Sequence, residues 1–230
     1  MTPLSYTLKK SLFPLCKPLA RWYMSRMHKF RWLDIEVVVL PGVFHPGLSP
    51  STTCLANWLA GESLAGKKVL ELGAGCGLLS IYAASMQAEV VAADISHKAT
   101  VNLLTNAQLN DLPVQVIRSD MFDEIFYQFF DYILINPPCY PRDPVDEADM
   151  AYYCGANFEF FQKLFTQLPD HIYEASRVYM ILPADCDIQS IRHIAAGCDF
   201  QMKALWEEKH WGEAFVIFEI KLDAHSYHRA

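Results

Sequence analysis

The sequence contains no apolar run approaching 18 residues, so we expect no transmembrane helix and no membrane insertion. It also lacks the pattern of a signal peptide, because its N-terminal basic residues are spread out instead of preceding an apolar segment. Its seven cysteines include no Cys-x-x-Cys pair. An odd number of cysteines without such a pair disfavours a disulfide framework or a zinc site, so we predict a metal-free protein in the reducing cytoplasm.

Acidic residues are missing from the first 33 positions, which hold seven lysines and arginines. The other 12 of the 19 basic residues share the rest of the chain with all 26 acidic residues, which gives that part a net charge of −14. This asymmetry predicts a basic N-terminal helical extension over 1–34 and an acidic domain over 35–230. The extension either packs on that domain with a solvated helical face or contacts an anionic partner such as a nucleic acid.

Strand-like and helix-like segments alternate along the acidic part, and 52% of all residues are hydrophobic. This pattern predicts a doubly wound α/β fold, with a mostly parallel seven-stranded sheet and helices on both faces. A turn at Trp211-Gly212 predicts a C-terminal antiparallel hairpin. The predicted strands are 35–40, 68–72, 89–94, 114–118, 132–136, 177–182, 201–209 and 214–222. The predicted helices are one or two short ones in 4–33, followed by 49–60, 77–86, 97–110, 157–168 and 188–197.

The strongest motif is Glu71-Leu72-Gly73-Ala74-Gly75-Cys76-Gly77, which follows a predicted strand and precedes a predicted helix. Glycines here let the backbone turn tightly and approach a bound adenosyl group. The dinucleotide-binding pattern requires a further glycine at position 78, where this chain has Leu78, so a nicotinamide oxidoreductase is disfavoured. Glu71 can hold the amino group at the methionine end of S-adenosylmethionine (SAM). We therefore favour SAM as the ligand.

Further candidate cofactor contacts stand at other element ends. Asp94 ends a predicted strand 21 residues after the first motif glycine, where an acid can bind ribose hydroxyls. Asp120 ends the next strand and can accept the adenine amino group, with Met121 packed on the ring. Thr52 and Thr53, at the start of a predicted helix, can bind the SAM carboxylate or simply cap the helix.

A second motif, Asn136-Pro137-Pro138-Cys139-Tyr140, follows a predicted apolar strand. The two prolines remove two backbone donors and stiffen the turn. The Asn136 side-chain oxygen and the following carbonyl can then accept both hydrogens of a planar NH2 group. Fixed acceptors favour the positive charge that develops on such a nitrogen during methyl transfer.

These motifs, Glu71–Gly77, Asp94, Asp120 and Asn136–Pro138, resemble those of the class I SAM-dependent amino-methyltransferases with an Asn-Pro-Pro-aromatic motif. That group includes the glutamine N5-methyltransferases of release factors and the adenine N6- and guanine N2-methyltransferases of nucleic acids. The resemblance covers roughly residues 35–222. The chain departs from the pattern at Cys139, where the group has Tyr, Phe or Trp. Tyr140 is the candidate to supply the ring from the next position, and Tyr152 and Tyr153 are candidates for the substrate mouth.

The hypothesis is SAM-dependent methylation of an amide or amino nitrogen, in a protein side chain such as glutamine or in an RNA or DNA base. The alternatives are a small-molecule methyltransferase and a non-catalytic SAM- or nucleotide-binding module, which the Cys139 departure keeps open. The expected catalytic residues are Asn136, Pro137, Pro138 and Tyr140. The expected cofactor contacts are Glu71, Gly73, Gly75, Gly77, Asp94, Asp120, Met121, Thr52 and Thr53.

Overall fold

The computed structural model describes residues 23, 25–48, 50–210 and 212–223 of the protein. The strands of this part are β1 (His28–Trp32), β2 (Ile35–Val39), β3 (Lys68–Leu72), β4 (Glu89–Asp94), β5 (Val114–Arg118), β6 (Tyr132–Ile135), β7 (Arg177–Pro183), β8 (Phe200–His210) and β9 (Glu213–Leu222). The helices are α1 (Ser51–Leu59), α2 (Leu78–Ser85), α3 (His97–Leu109), α4 (Glu159–Gln167) and α5 (Ile188–Gly197).

Seven strands form the central sheet in the order β5-β4-β3-β6-β7-β9-β8. The pairs from β5 to β7 are parallel, whereas β9 pairs antiparallel with both β7 and β8. The four residues of β6 are all buried, which is the continuous apolar pattern of a strand covered on both faces. The predicted doubly wound sheet with its C-terminal antiparallel hairpin is confirmed.

Helices cover both faces of this sheet through two separate apolar cores. One core joins α1 and α2 to β2 and to one face of the sheet. The other joins α4 and α5 to the opposite face. The predicted helix over 157–168 begins two residues late, because Phe158 adopts a left-handed conformation with φ 62°. In the described part of the chain, no helix combines the length and apolarity that crossing a bilayer requires.

The N-terminal part of the described chain corrects the sequence analysis. Helix is predicted over 4–33, but residues 28–32 form β1, which pairs antiparallel with β2 across a turn at Leu33 and Asp34. Exposure alternates along both strands, as expected for a hairpin with one buried face. The remainder of the predicted helical region, up to residue 22, lies outside the described residues.

Two asparagines of α3 attach this hairpin to the main domain. The Oδ1 atom of Asn102 accepts the Leu40 N–H, and that of Asn106 accepts the Val38 N–H, both at 2.8 Å. Both side chains also donate to the Val38 carbonyl. The backbone N–H and C=O groups along one edge of the hairpin therefore form their hydrogen bonds with side chains instead of with a further strand. The hairpin is thus a fixed part of the domain.

Candidate active site at the carboxyl ends of the parallel strands

A cleft of about 550 Å³ opens at the carboxyl ends of β3, β4, β5 and β6. Parallel strands end at one edge of their sheet, so four loops distant in sequence meet there. The loop after β2 closes the cleft from one side, and the segment after β6 closes it from the other. The predicted site residues that line it are Thr52, Glu71, Gly73, Gly75, Asp94, Asp120, Met121, Asn136, Pro137 and Pro138.

The three motif glycines divide into two roles. Gly73 and Gly75 have φ angles of 70° and 56°, and a Cβ at either position would meet nothing within 4 Å. They therefore leave a bare backbone surface for a ligand. Gly77 does not line the cleft. A Cβ there would come within 2.6 Å of Leu103 Cγ, so this glycine allows the backbone at the start of α2 to approach Leu103 of α3.

Glu71 is buried at the floor of the cleft, with 4% of its surface exposed. Its Oε2 atom accepts the backbone N–H of Ser80 at 2.8 Å and also the Ser80 hydroxyl. Burial raises the pKa of Glu71 to about 8, although the two Ser80 hydrogen bonds act in the opposite direction. The carboxyl group thus holds α2 in place and can become charged when a cation arrives.

Asp94 lies at the end of β4, beside the glycine loop. Its carboxylate accepts the Gly75 N–H and the Ser96 N–H, each at 2.8 Å. Burial raises the pKa of this group, and these two hydrogen bonds counteract that rise. Each carboxylate oxygen can accept more than one hydrogen bond, so Asp94 can still receive ribose hydroxyls.

The third acid, Asp120, is joined to a residue that the sequence analysis did not single out. Lys163 of α4 lines the cleft and makes ion pairs of 2.7 Å with both Asp120 and Asp123. Met121 is buried next to Asp120 with a φ of 55°. No sequence signal marks Lys163, because a lysine in an amphipathic helix looks like an ordinary solvated residue.

The amide group of Asn136 is held by the first turn of α1. Its Nδ2 donates to Ser51 Oγ at 3.1 Å and to Thr52 Oγ1 at 3.0 Å. With the nitrogen engaged in this way, Oδ1 is the atom left to accept from a substrate in the cleft.

Thr53 does not line the cleft. Its hydroxyl donates to the Pro50 carbonyl at 2.9 Å, a bond back to the preceding turn that does not cap the free N–H groups of the helix.

The residues after the two prolines turn away from the cleft. Cys139 is buried in the apolar core, where contact with Cys186 and burial raise its pKa, so the thiol is neutral. Tyr140 does not line the cleft either, and its hydroxyl donates to Asp185 at 3.2 Å. Neither observation supports the expectation that Tyr140 stacks on a substrate, which stays a prediction.

Tyr153 supplies an aromatic ring to the cleft instead. The backbone N–H groups of Cys139 and Tyr140 both donate to the Tyr152 carbonyl, which holds the two ends of the connection between β6 and α4 together. Arg142 lies 5.2 Å from the centroid of the Tyr153 ring, so this ring has a cation on one side. Tyr152 packs edge-on against Phe44 and does not line the cleft.

Comparisons with known proteins agree with this geometry. The sequence pattern of the methyltransferase small domain matches residues 34–150. A protein of Methanocaldococcus jannaschii, provisionally named protein N5-glutamine methyltransferase, is 30% identical over 158 residues, which cover 65% of this chain and 78% of that protein. The release factor glutamine methyltransferase of Lactococcus lactis is 29% identical over 174 residues, which cover 69% of this chain and 62% of that enzyme.

Solved structures share the fold. The T. thermophilus 16S rRNA N2 G1207 methyltransferase, solved in complex with AdoMet and guanosine, superposes with a TM-score of 0.61 at 23% identity. That match covers 84% of this chain and 50% of the other.

Proposed function

This chain belongs to the methyltransferase small domain family of SAM-dependent enzymes, and on that premise we propose that it methylates the side-chain amide nitrogen of a glutamine in a protein. The observation that carries the proposal is the orientation of Asn136. Its Nδ2 is engaged by Ser51 and Thr52, which leaves Oδ1 as an acceptor at the cleft. An acceptor fixed at this point suits a planar NH2 group.

The cleft suits SAM as the methyl donor. Gly73 and Gly75 leave room for a ligand against bare backbone, and Asp94 stands beside them for the ribose hydroxyls. In this proposal Glu71 holds the amino group of the methionine part, and Asp120 and Met121 contact the adenine. All three line the cleft, which supports these roles. When bound, SAM supplies an electrophilic methyl group on a positively charged sulfur.

The residues of the chain then act on the acceptor nitrogen. In the proposed reaction a nitrogen–carbon bond forms as the sulfur–methyl bond breaks, and the nitrogen loses one proton to solvent. Asn136 Oδ1 and the Pro137 carbonyl accept the two N–H groups and stabilise the positive charge that develops there. They also hold the nitrogen in line with the methyl group, which removes much of the entropic cost of the encounter.

The charges around the cleft favour an uncharged protein side chain over a nucleic acid. Six acidic residues line it: Glu71, Asp94, Asp120, Asp143, Glu147 and Glu159. Among the described lining residues, Lys163 is the only lysine or arginine, and two aspartates already neutralise it. A nucleic acid gains most of its affinity from lysine and arginine contacts to phosphates. A glutamine amide needs none.

A nucleobase is the second candidate, and the basic N-terminal region favours it. The seven lysines and arginines within residues 1–33 would provide the phosphate contacts that the described lining of the cleft does not. The two candidates predict different labelled products, so one experiment separates them.

The test uses tritiated SAM and extracts of cells that lack this protein. Adding the wild-type chain should transfer label to a macromolecule that resists ribonuclease and is destroyed by protease. Hydrolysis should release the label as N5-methylglutamine or as methylamine. The Asn136→Ala variant serves as the control for background transfer. Label that ribonuclease removes would reject the glutamine assignment in favour of the nucleobase.

A further inference from the structure

Three side chains with metal-binding atoms meet between α1 and β8, outside the cleft. Cys54 lies on α1, while Glu208 and His210 lie on β8. The Cys54 Sγ, a Glu208 carboxylate oxygen and an imidazole nitrogen of His210 all lie within 4.8 Å of one another. Two of these residues are two positions apart in a strand, so their side chains point to the same face.

Burial distinguishes this group from a surface cluster. Cys54 is fully buried, and the side chains of His210 and Glu208 are 36% and 30% exposed. The Nε2 atom of His210 is itself buried and touches Glu208 Oε1, but it has no aligned hydrogen-bond partner among the described residues. In this arrangement the Glu208 carboxylate is its ion-pair partner, so the two side chains already lie together beside Cys54.

An ion pair between His210 and Glu208 accounts for only part of this arrangement. It leaves Cys54 facing a carboxylate, and burial together with the charge of Glu208 raises the pKa of that thiol to about 12. The metal-free protein therefore keeps a neutral thiol beside the His210–Glu208 pair. A cation between the three groups would convert each of them into a ligand.

We propose that Cys54, Glu208 and His210 form a binding site for a divalent transition-metal ion, with Zn²⁺ as the best match. One sulfur, one nitrogen and one oxygen ligand suit Zn²⁺ or Co²⁺, whereas Mg²⁺ and Ca²⁺ prefer oxygen ligands alone. Bonds of about 2.0–2.3 Å require small side-chain rotations from the present spacing. A water molecule would complete the tetrahedron.

The site would stabilise the helix that positions Asn136. Cys54 follows Ser51 and Thr52 in α1, and these two residues hold the Asn136 amide. A metal bound to Cys54 would tie this helix to the β8–β9 hairpin across the sheet. The ion would lie apart from the reacting atoms, so its role is structural.

The test is a titration of the metal-stripped full-length chain with Co²⁺. A thiolate ligand gives cobalt a charge-transfer absorption in the near ultraviolet, and a tetrahedral site gives strong visible bands. We expect both to saturate at one equivalent and to disappear when Zn²⁺ is added. Because Cys54 must lose its proton, affinity should increase with pH. Saturating Zn²⁺ should also raise the melting temperature.

Matched variants identify the ligands. Cys54→Ser should abolish the charge-transfer band, and His210→Gln should weaken binding at least tenfold. Cys198→Ser is the control, since Cys198 is a half-buried cysteine outside the group, and it should bind like the wild type. Absence of the band in the wild type would overturn the proposal even if a variant failed to fold. Survival of the band in a folded Cys54→Ser variant, or its loss in Cys198→Ser, would also overturn it.

Discussion

The proposed mechanism depends on a single atom of Asn136, its side-chain amide oxygen. The hydroxyls of Ser51 and Thr52 hold its amide nitrogen, and the amide oxygen remains for the substrate. Asn136→Ala should lower the rate of methyl transfer about 10²–10³-fold, or roughly 2.7–4 kcal/mol, because one preorganised acceptor is lost. The measurement is single-turnover transfer at saturating SAM.

SAM affinity should change little in the same variant, because the proposed ribose and adenine contacts come from other loops. Asn136→Asp keeps an acceptor in place and should retain part of the activity. A wild-type turnover rate in Asn136→Ala would show that the Asn-Pro-Pro turn is only structural.

Glu71 couples cofactor binding to protonation. Burial raises its pKa from the ordinary 4.5 to about 8, so the free protein holds this proton at neutral pH. The cationic methionine end of SAM should ionise the group, and binding should then release up to one proton. SAM affinity should therefore increase as the pH rises from about 5 to about 8. Calorimetry at pH 7 in buffers of different ionisation enthalpy measures the proton release.

The same pKa shift has the opposite effect on folding stability. The pKa of Glu71 is 4.5 in the unfolded chain and about 8 in the native state. Between these values the native state keeps a proton that the unfolded chain has lost, so the free energy of unfolding falls as pH rises. Glu71→Gln should remove both the proton release and this part of the pH dependence. A binding heat that does not vary with the buffer would contradict the ionisation of Glu71.

At the scale of elements, the close approach of the start of α2 to Leu103 of α3 depends on Gly77. A Cβ at this position would lie 2.6 Å from Leu103 Cγ, and the φ angle is 81°. Gly77→Ala should cost roughly 1–2 kcal/mol for the left-handed backbone and about 1–3 kcal/mol more for overpacking. Urea unfolding measures the total loss in the free energy of unfolding.

Gly66→Ala is the matched control for that measurement. Gly66 has a similar φ of 69°, but a Cβ there meets nothing within 4 Å. Gly66→Ala should lower the free energy of unfolding only by the cost of the left-handed backbone, about 1–2 kcal/mol. Equal losses in the two variants would show that contact with Leu103 contributes nothing.

The β1–β2 hairpin shows where local pattern is insufficient at this scale. The basic, aromatic-rich stretch before residue 34 lacks glycine and acids and is compatible with helix. Its last part forms a strand because β2 offers it a pairing edge and α3 holds that hairpin through Asn102 and Asn106. Tertiary context of this kind outweighs the small differences in intrinsic propensity.

At the scale of the whole molecule, the charge asymmetry can be tested by truncation. A chain that begins at residue 23 keeps β1 but loses Lys9, Lys10, Lys17 and Arg21. It should bind SAM like the full chain, because the cleft is lined by residues from Gly42 onward. The KM for an anionic macromolecular substrate should rise, and its dependence on salt should weaken.

Kinetics at two or more salt concentrations provide the comparison. Identical salt slopes in two folded proteins would reject recruitment by the basic segment. A truncated chain that is insoluble would instead support the alternative, in which the segment packs on the domain. A separate N-terminal extension remains a prediction, and its proposed boundary at residue 34 lies within the β1–β2 hairpin.

The sequence by itself determined the sheet, the glycine loop and the position of the Asn-Pro-Pro turn. These features depend on local constraints: the alternation of apolar segments, the backbone freedom of Gly73 and Gly75, and the lost donors of two prolines. Parallel strands then bring their carboxyl ends to one edge, so the cleft follows from the fold class.

Only the tertiary structure decided which side chains enter the cleft. Tyr140 turns to Asp185, and Tyr153, further along the same connection between β6 and α4, supplies the ring. The orientation of Asn136 is set by hydroxyls of α1, and the Cys54 group joins a helix to a strand near the other end of the chain. These arrangements arise from packing between elements distant in sequence, and such contacts leave no periodicity or spacing in the chain itself.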